Sequence, residues 1–416
     1  MIFSILLLIA FATFLLLAWR DLKLALIVLA GLLPTYLIRF SIGPLPTTAL
    51  EVFILIAGLA WVINHQGYKI DIKSFRPWYR PLLLLIAAAS FGVVVASDTF
   101  SALGIWKAYF IEPALVYLMM QSQFKGKDDW QNALKALGVS AIVLSVFAIF
   151  QSTSGLGIPA PWDIEKRATG LFDYPNALGL FLSPIIAFGT VLFIKTKNKT
   201  DRIFWSSVIV LGAIAILLAQ TEAAFVAIPA ALLITFLITP AKRTIKIRVA
   251  AEAIIIVILL ALAFPAVGQK IMLRDYSGQV RIAQWQESVA MIVDRPLFGA
   301  GLNAYPTVLK PYHDPKLYEI FQYPHNIFLN IWSELGLLGL IAFFWLAFLI
   351  IQTVRFSTTK QIKNSTTLKL AAFAALTTMA IHGLVDVPYF KNDLAVMTWI
   401  LIAILSMPRK SVIPKK

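Results

Sequence analysis

Apolar runs long enough to cross a hydrocarbon core as helices, about 17–25 residues each, recur from one end of the chain to the other. They fall at 2–18, 22–38, 45–63, 81–96, 103–120, 133–150, 177–194, 203–219, 223–239, 249–266, 327–351, 368–385 and 394–407. This pattern predicts an all-α polytopic membrane protein with about 12–13 transmembrane helices. One long polar stretch interrupts it, between the tenth and eleventh predicted spans. The chain therefore divides into N-terminal membrane helices (1–266), a loop (267–325), and C-terminal helices with a tail (326–416). Inside the loop, Val280, Ala283, Trp285, Val289, Ile292 and Val293 recur at helical spacing, with Gln and Glu between them. That spacing predicts an amphipathic helix, stopped by Pro296 and the glycines of LFGAGL. It suits a helix lying on the bundle or bilayer surface and equally a plain packing helix.

Charge then orients the spans. Basic residues collect in alternate connections: Arg20 and Lys23; Lys69, Lys73, Arg76 and Arg80; Lys125 and Lys127; Lys195, Lys197, Lys199 and Arg202. The series continues through Lys242, Arg243, Lys246 and Arg248, then Arg355, Lys360, Lys363 and Lys369, and ends on Arg409, Lys410, Lys415 and Lys416. The positive-inside rule puts these in the cytoplasm, the N-terminus outside and the C-terminus inside. The long loop, the 151–176 connection and the 382–393 connection then face outward. The net charge of +15 becomes a topology signal, not a nucleic-acid footprint.

Composition agrees: 59% apolar and 14% charged residues. The first apolar run lacks a cleavage-like pattern and reads as a retained span. With no cysteine in the chain, thiolate metal sites, iron–sulfur clusters and a cysteine nucleophile drop out. No His or carboxylate pair has metal-ligand spacing, and serine elbows, Walker loops and dinucleotide fingerprints are missing, so no metal or cofactor is expected.

The candidate chemistry gathers on the outer side. His325 opens the eleventh span beside Asn326, where a water-filled cavity can reach an ionisable group. Arg281, on the amphipathic helix with Trp285, offers a planar donor fork suited to phosphate; an interfacial Arg snorkelling to headgroups is the plainer reading. Glu222 sits in a very short outer connection, as a functional carboxylate or a helix cap. Arg167 and Asn176 lie in the second outer loop, and Arg274 precedes the amphipathic helix. His382 and Asp386 are four apart, a spacing that lets them share a helix face as a structural pair or a ligand pair. His313, in PYHDPK, reads as structural.

The blocks RIAQWQESVAMIVDRPLFGAGLNAYP and PHNIFLNIWSELGLLGL, with RATGLFDYPNALGLFL and HGLVDVPYFKNDLAVMTW, resemble the O-antigen ligase and polymerase superfamily. These are bacterial inner-membrane glycosyltransferases. The resemblance covers the chain from about the sixth span onward. It implies a GT-C-like bundle that transfers a glycan from undecaprenyl diphosphate to a hydroxyl on a glycan, lipid or protein, without a metal. The family's essential outer-loop Arg and His match Arg281 and His325. Arg281 would stabilise the departing diphosphate and His325 orient or deprotonate the acceptor.

One position departs from the family pattern: where its ligases carry a further Arg on an earlier span, this chain reads TEAAF, with Glu222. Arg167, Lys107 or Arg274 would then supply the second charge, or Glu222 would act as base. The expected catalytic set is His325, Arg281 and Glu222, with Arg167, Arg274, Asn326, Trp285, Asn176, His382 and Asp386 around the substrate. A polymerase is the near alternative. A flippase for the same lipid-linked sugars is the distant one, and it calls for paired broken helices near mid-membrane.

Overall fold

The computed structural model describes residues 2–64, 76–263, 269–270, 272–316, 318–359 and 363–407. His65, Lys69, Lys73, Lys360, Arg409, Lys410, Lys415, Lys416 and the end of the tenth predicted span lie outside these residues. The helices are α1 (Ile2–Arg20), α2 (Leu22–Gly31), α3 (Ala49–Asn64), α4 (Arg76–Val95), α5 (Thr99–Trp106), α6 (Glu112–Gln123), α7 (Lys127–Ser154) and α8 (Pro175–Lys195). They continue as α9 (Lys199–Ala219), α10 (Glu222–Ile238), α11 (Arg243–Ala263), α12 (Tyr276–Asp294), α13 (Tyr305–Leu309), α14 (Ile327–Thr359), α15 (Lys363–His382) and α16 (Asn392–Leu405).

Seven helical segments among the described residues are long and apolar enough to cross a membrane: Ile2–Arg20, Pro77–Val95, Thr99–Gln123, Lys127–Ser154, Pro175–Lys195, Lys199–Ala219 and Ile327–Ser357. Four shorter apolar helices accompany them. Their burial explains how such a chain stays folded. In α1 only 11% of the most apolar window is buried, and Leu6, Leu8 and Ile9 stand on the surface. In water so broad an apolar face would be an aggregation site; facing lipid, it is in its own solvent. The opposite extreme is α8, with 83% of its window buried. It packs against α9 and α15, while α14 packs against α4. The chain is a mostly helical, multi-pass membrane protein.

Local chemistry starts the helices where water or headgroups lie. The Asp21, Asp98 and Asn198 side chains accept from backbone N–H groups of the first turns of α2, α5 and α9, each cap being worth about 1 kcal/mol. Two expectations change. The second apolar run is not one helix: α2 stops at Gly31 and a 3-10 turn spans Leu33–Leu37, because Pro34 has no N–H to continue the ladder. The third run does not begin as helix either. Residues Leu45–Thr48 pair antiparallel with Arg39–Ile42 around Gly43, whose φ of 60° closes the turn. The bundle thus carries one short hairpin.

The long α14 breaks at Gly336, with φ 66° and ψ −168°. A Cβ there would meet the Leu297 carbonyl oxygen at 2.2 Å. Gly299 has the same problem from the other side, 2.3 Å from the Ser333 oxygen. The glycines of LFGAGL and ELGLLGL are therefore the price of pressing the outer loop against the broken helix.

Candidate active site

Helix α12 begins where Asp275 accepts a hydrogen bond from the Gly278 N–H at 3.2 Å. One face of it carries Arg281, Gln284, Trp285 and Ser288, at helical spacing. Each reaches a different piece of chain. Arg281 Nε donates to the Val385 carbonyl at 3.2 Å. Gln284 donates to the Tyr323 carbonyl at 2.7 Å and the Trp285 indole to the Pro324 carbonyl at 2.9 Å. Ser288 shares a 2.8 Å hydrogen bond with the Tyr305 hydroxyl. The amphipathic helix thus grips the residues just before His325 and the turn just after α15.

The same two segments are also joined to each other. Asn326 caps α14, accepting from Phe328 and Leu329 at 3.0 and 3.2 Å, and its amide nitrogen donates to the Leu384 carbonyl at 3.0 Å. The Ile327 N–H donates to the Gly383 carbonyl at 2.7 Å. Between these anchors His325 has φ 46°, a conformation unusual for a side chain with a Cβ. Such strain persists only where the surroundings over-determine it.

The consequence is a His–Asp pair. His325 Nδ1 lies 3.5 Å from the Asp386 carboxylate, an ion-pair separation without a hydrogen bond between them. Asp386 is buried; burial pushes its carboxyl up, but the His325 pairing, the nearby His382 and the Val387 N–H at 2.8 Å outweigh it. The carboxyl is held below its ordinary value. Because Nδ1 is buried while the His325 side chain keeps 30% of its surface exposed, Nε2 is the ring nitrogen left for a substrate. The helix-face spacing expected for His382 and Asp386 does not hold. Helix α15 ends at His382 and Asp386 lies in the turn beyond it.

His325, Asp386 and Arg281 line one cavity of ≈ 1090 Å³, together with Arg167 and Asn176. The terminal guanidinium nitrogens of Arg281 make no hydrogen bond among the described residues. Arg167 is more committed: it donates to the Ala219 carbonyl at 3.1 Å, lies 3.4 Å from Asn176 Oδ1 and packs over Trp162. The other expected site residues stay outside the cavity lining. Glu222 pairs with Lys270, and both are about half exposed. Arg274 does not line the cavity, and neither do Trp285 and Asn326, whose roles are to hold the His325 segment. His382 is buried 3.4 Å from the Ser183 hydroxyl. Lys107 pairs with Glu51, and neither lines the cavity. His313 and the Tyr318 hydroxyl both hydrogen-bond Glu287, stapling the outer loop to α12. Among the described residues no three His, Asp or Glu cluster as metal ligands.

Two lining cations escaped the sequence reading, Arg39 and Lys391. A signal existed: both stand in connections that the charge pattern assigns to the outside, where basic residues are in the minority.

Comparison with known protein families adds the decisive observation: residues 207–344 match the family model described as O-Antigen ligase. Over those residues the chain is similar to the O-antigen ligases. The O-antigen ligase match runs from α9 into α14 and takes in Arg281 and His325, while Asp386, Arg167 and Lys391 lie outside it. It supports a membrane glycan-joining function of the ligase or polymerase kind. No curated protein matches the chain at a significant level.

Proposed function

We propose that the protein transfers a glycan from a polyprenyl diphosphate, undecaprenyl diphosphate in a bacterial inner membrane, to an acceptor hydroxyl. Transfer takes place in the cavity at the outer face, within a GT-C-like bundle. The observation that carries this reading is the convergence of Arg281, His325 and Asp386 on that one cavity. In the step, the acceptor oxygen bonds the sugar's anomeric carbon as the bond from that carbon to the diphosphate oxygen breaks. His325 Nε2 takes the hydroxyl proton, and Asp386 steadies the imidazolium that forms. The two terminal guanidinium nitrogens of Arg281 meet the charge that develops on the departing diphosphate. Its Nε, held by the Val385 carbonyl, fixes the guanidinium plane. Outward placement rests on the basic residues of the opposite connections.

The test is transfer by purified protein in nanodiscs, with polyprenyl-diphosphate-linked glycan and candidate acceptors, in chelator. Wild-type protein is expected to transfer glycan and Arg281→Ala to lose the activity. Arg281→Lys, a point charge without the fork, is expected to retain only a small part of it. Normal transfer by Arg281→Ala would remove the proposed leaving-group role. A polymerase would differ only in its acceptor, a second lipid-linked glycan, which the same assay separates.

A further inference from the structure

The cavity has a second cationic wall, remote in sequence from Arg281 and absent from the matched family region. Lys391 caps the N-terminus of α16 without a side-chain capping bond. Its ammonium lies 4.1 Å from the centre of the Phe172 ring and 5.3 Å from that of Tyr36. Its ion-pair partner is the fully buried Asp393, 3.4 Å away, a separation that leaves the ammonium without a hydrogen bond among the described residues. An ammonium paired this loosely keeps donors for a second acceptor. Next to it Asn392 is 6% exposed, lines the cavity, and has an amide oxygen with no hydrogen-bond partner.

Two helix N-termini meet here. Helix α8 starts at Pro175 after Tyr174, again with no side-chain cap, and its first turn lines the same cavity. Both ends carry the positive pole of a helix dipole. Arg39, exposed on the hairpin three residues after Tyr36, completes the wall. The lining cations are thus Arg39, Arg167, Arg281 and Lys391, and the carboxylates facing them are Asp173, Glu319 and Asp386. Asp386 is paired with His325, Lys391 with Asp393 behind the cavity wall, and Arg167 with backbone carbonyls.

We propose that Lys391 and Arg39, under the N-termini of α8 and α16, form a second phosphate-binding pole, so that the donor's diphosphate is held from two sides, by this pole and by Arg281. The proposal rests on the glycan-transfer reading. Phe172 and Tyr36 hold the Lys391 ammonium against their ring faces, which costs little hydration when the cavity fills. Asn392 accepts from a sugar hydroxyl beside the phosphate.

The experiment measures binding of undecaprenyl diphosphate and undecaprenyl monophosphate to the full chain in nanodiscs. Lys391→Met together with Asp393→Asn removes the buried pair without stranding one charge. It is expected to weaken diphosphate binding about tenfold or more, and monophosphate binding clearly less. Asp393→Asn alone keeps the cation and is expected to bind diphosphate at least as well as wild type. Arg39→Gln, on an exposed turn that tolerates the change, is expected to weaken diphosphate binding about threefold or more. This arm stands if the double variant does not fold. Wild-type diphosphate affinity in Arg39→Gln, or in a folded double variant, would overturn the proposal while leaving glycan transfer intact. Wild-type protein that binds neither lipid would instead overturn the transfer reading on which it rests.

Discussion

Replacing Asp386 by Asn tests whether the carboxylate serves His325 or merely fills space. The substitution keeps the shape and the capacity to accept the Val387 N–H, but removes the charge facing Nδ1. At 3.5 Å, a unit charge pair at an effective dielectric of about 20 is worth roughly 5 kcal/mol. The His325 ring is 30% exposed, so solvent screens part of this and about 2–3 kcal/mol is the expected loss of imidazolium stabilisation. That converts to a fall in kcat of about 30- to 150-fold. The KM for the lipid-linked donor should change little, because Asp386 acts on the proton and not on the diphosphate. Single-turnover transfer with radiolabelled donor in nanodiscs separates the two constants. A kcat within about threefold of wild type, where the expectation is at least about 30-fold, would refute the dyad. A raised KM at unchanged kcat would refute it too, assigning the carboxylate to binding.

Further consequences follow from the same geometry. Because the Asp386 carboxyl is held below its ordinary value, its pairing stabilises the fold fully above about pH 4. The stability difference between wild type and Asp386→Asn should therefore shrink as the medium acidifies past that point. Thermal unfolding in detergent across pH measures it. Asn326→Ala removes the cap of α14 and the tie to Leu384; it should cost about 1–2 kcal/mol and lower kcat along with the melting temperature. Gly299→Ala combines a φ of 64° with a Cβ 2.3 Å from a backbone oxygen and should cost about 3 kcal/mol or more, seen as lost yield of monodisperse protein. Glu222→Gln should change neither transfer nor stability by more than about 1 kcal/mol, since its pair with Lys270 is half exposed.

Much of this architecture was legible along the chain because lipid imposes a one-dimensional rule. A segment that must satisfy its own backbone and face hydrocarbon has to be helical, apolar and of a certain length, and such runs can be counted. The amphipathic helix was equally readable, since its period reports a face that is half buried; α12 spans Tyr276–Asp294 where the apolar spacing placed it. The breaks were not. Pro34 and the Leu45–Thr48 strand sit inside runs whose hydropathy is that of a span, and hydropathy carries no information on which backbone ladder a residue joins.

The membership of the site divides in the same way. Arg281 and His325 stood out because ionisable residues beside membrane helices are costly and therefore few. What they touch was beyond reach. The charge pattern assigns Glu222 and Arg274 to the same side as Arg281, yet neither lines the cavity, while Arg39 and Lys391 do. A helical membrane protein, its alternating charge and a long polar loop with an Arg and a His could all be read along the chain. That Asp386 faces His325 and that α12 clasps both their segments came only from the packing of the helices. The reason is physical: the partition of a helix into lipid depends on its own composition, whereas the partner of a side chain depends on how separate helices cross.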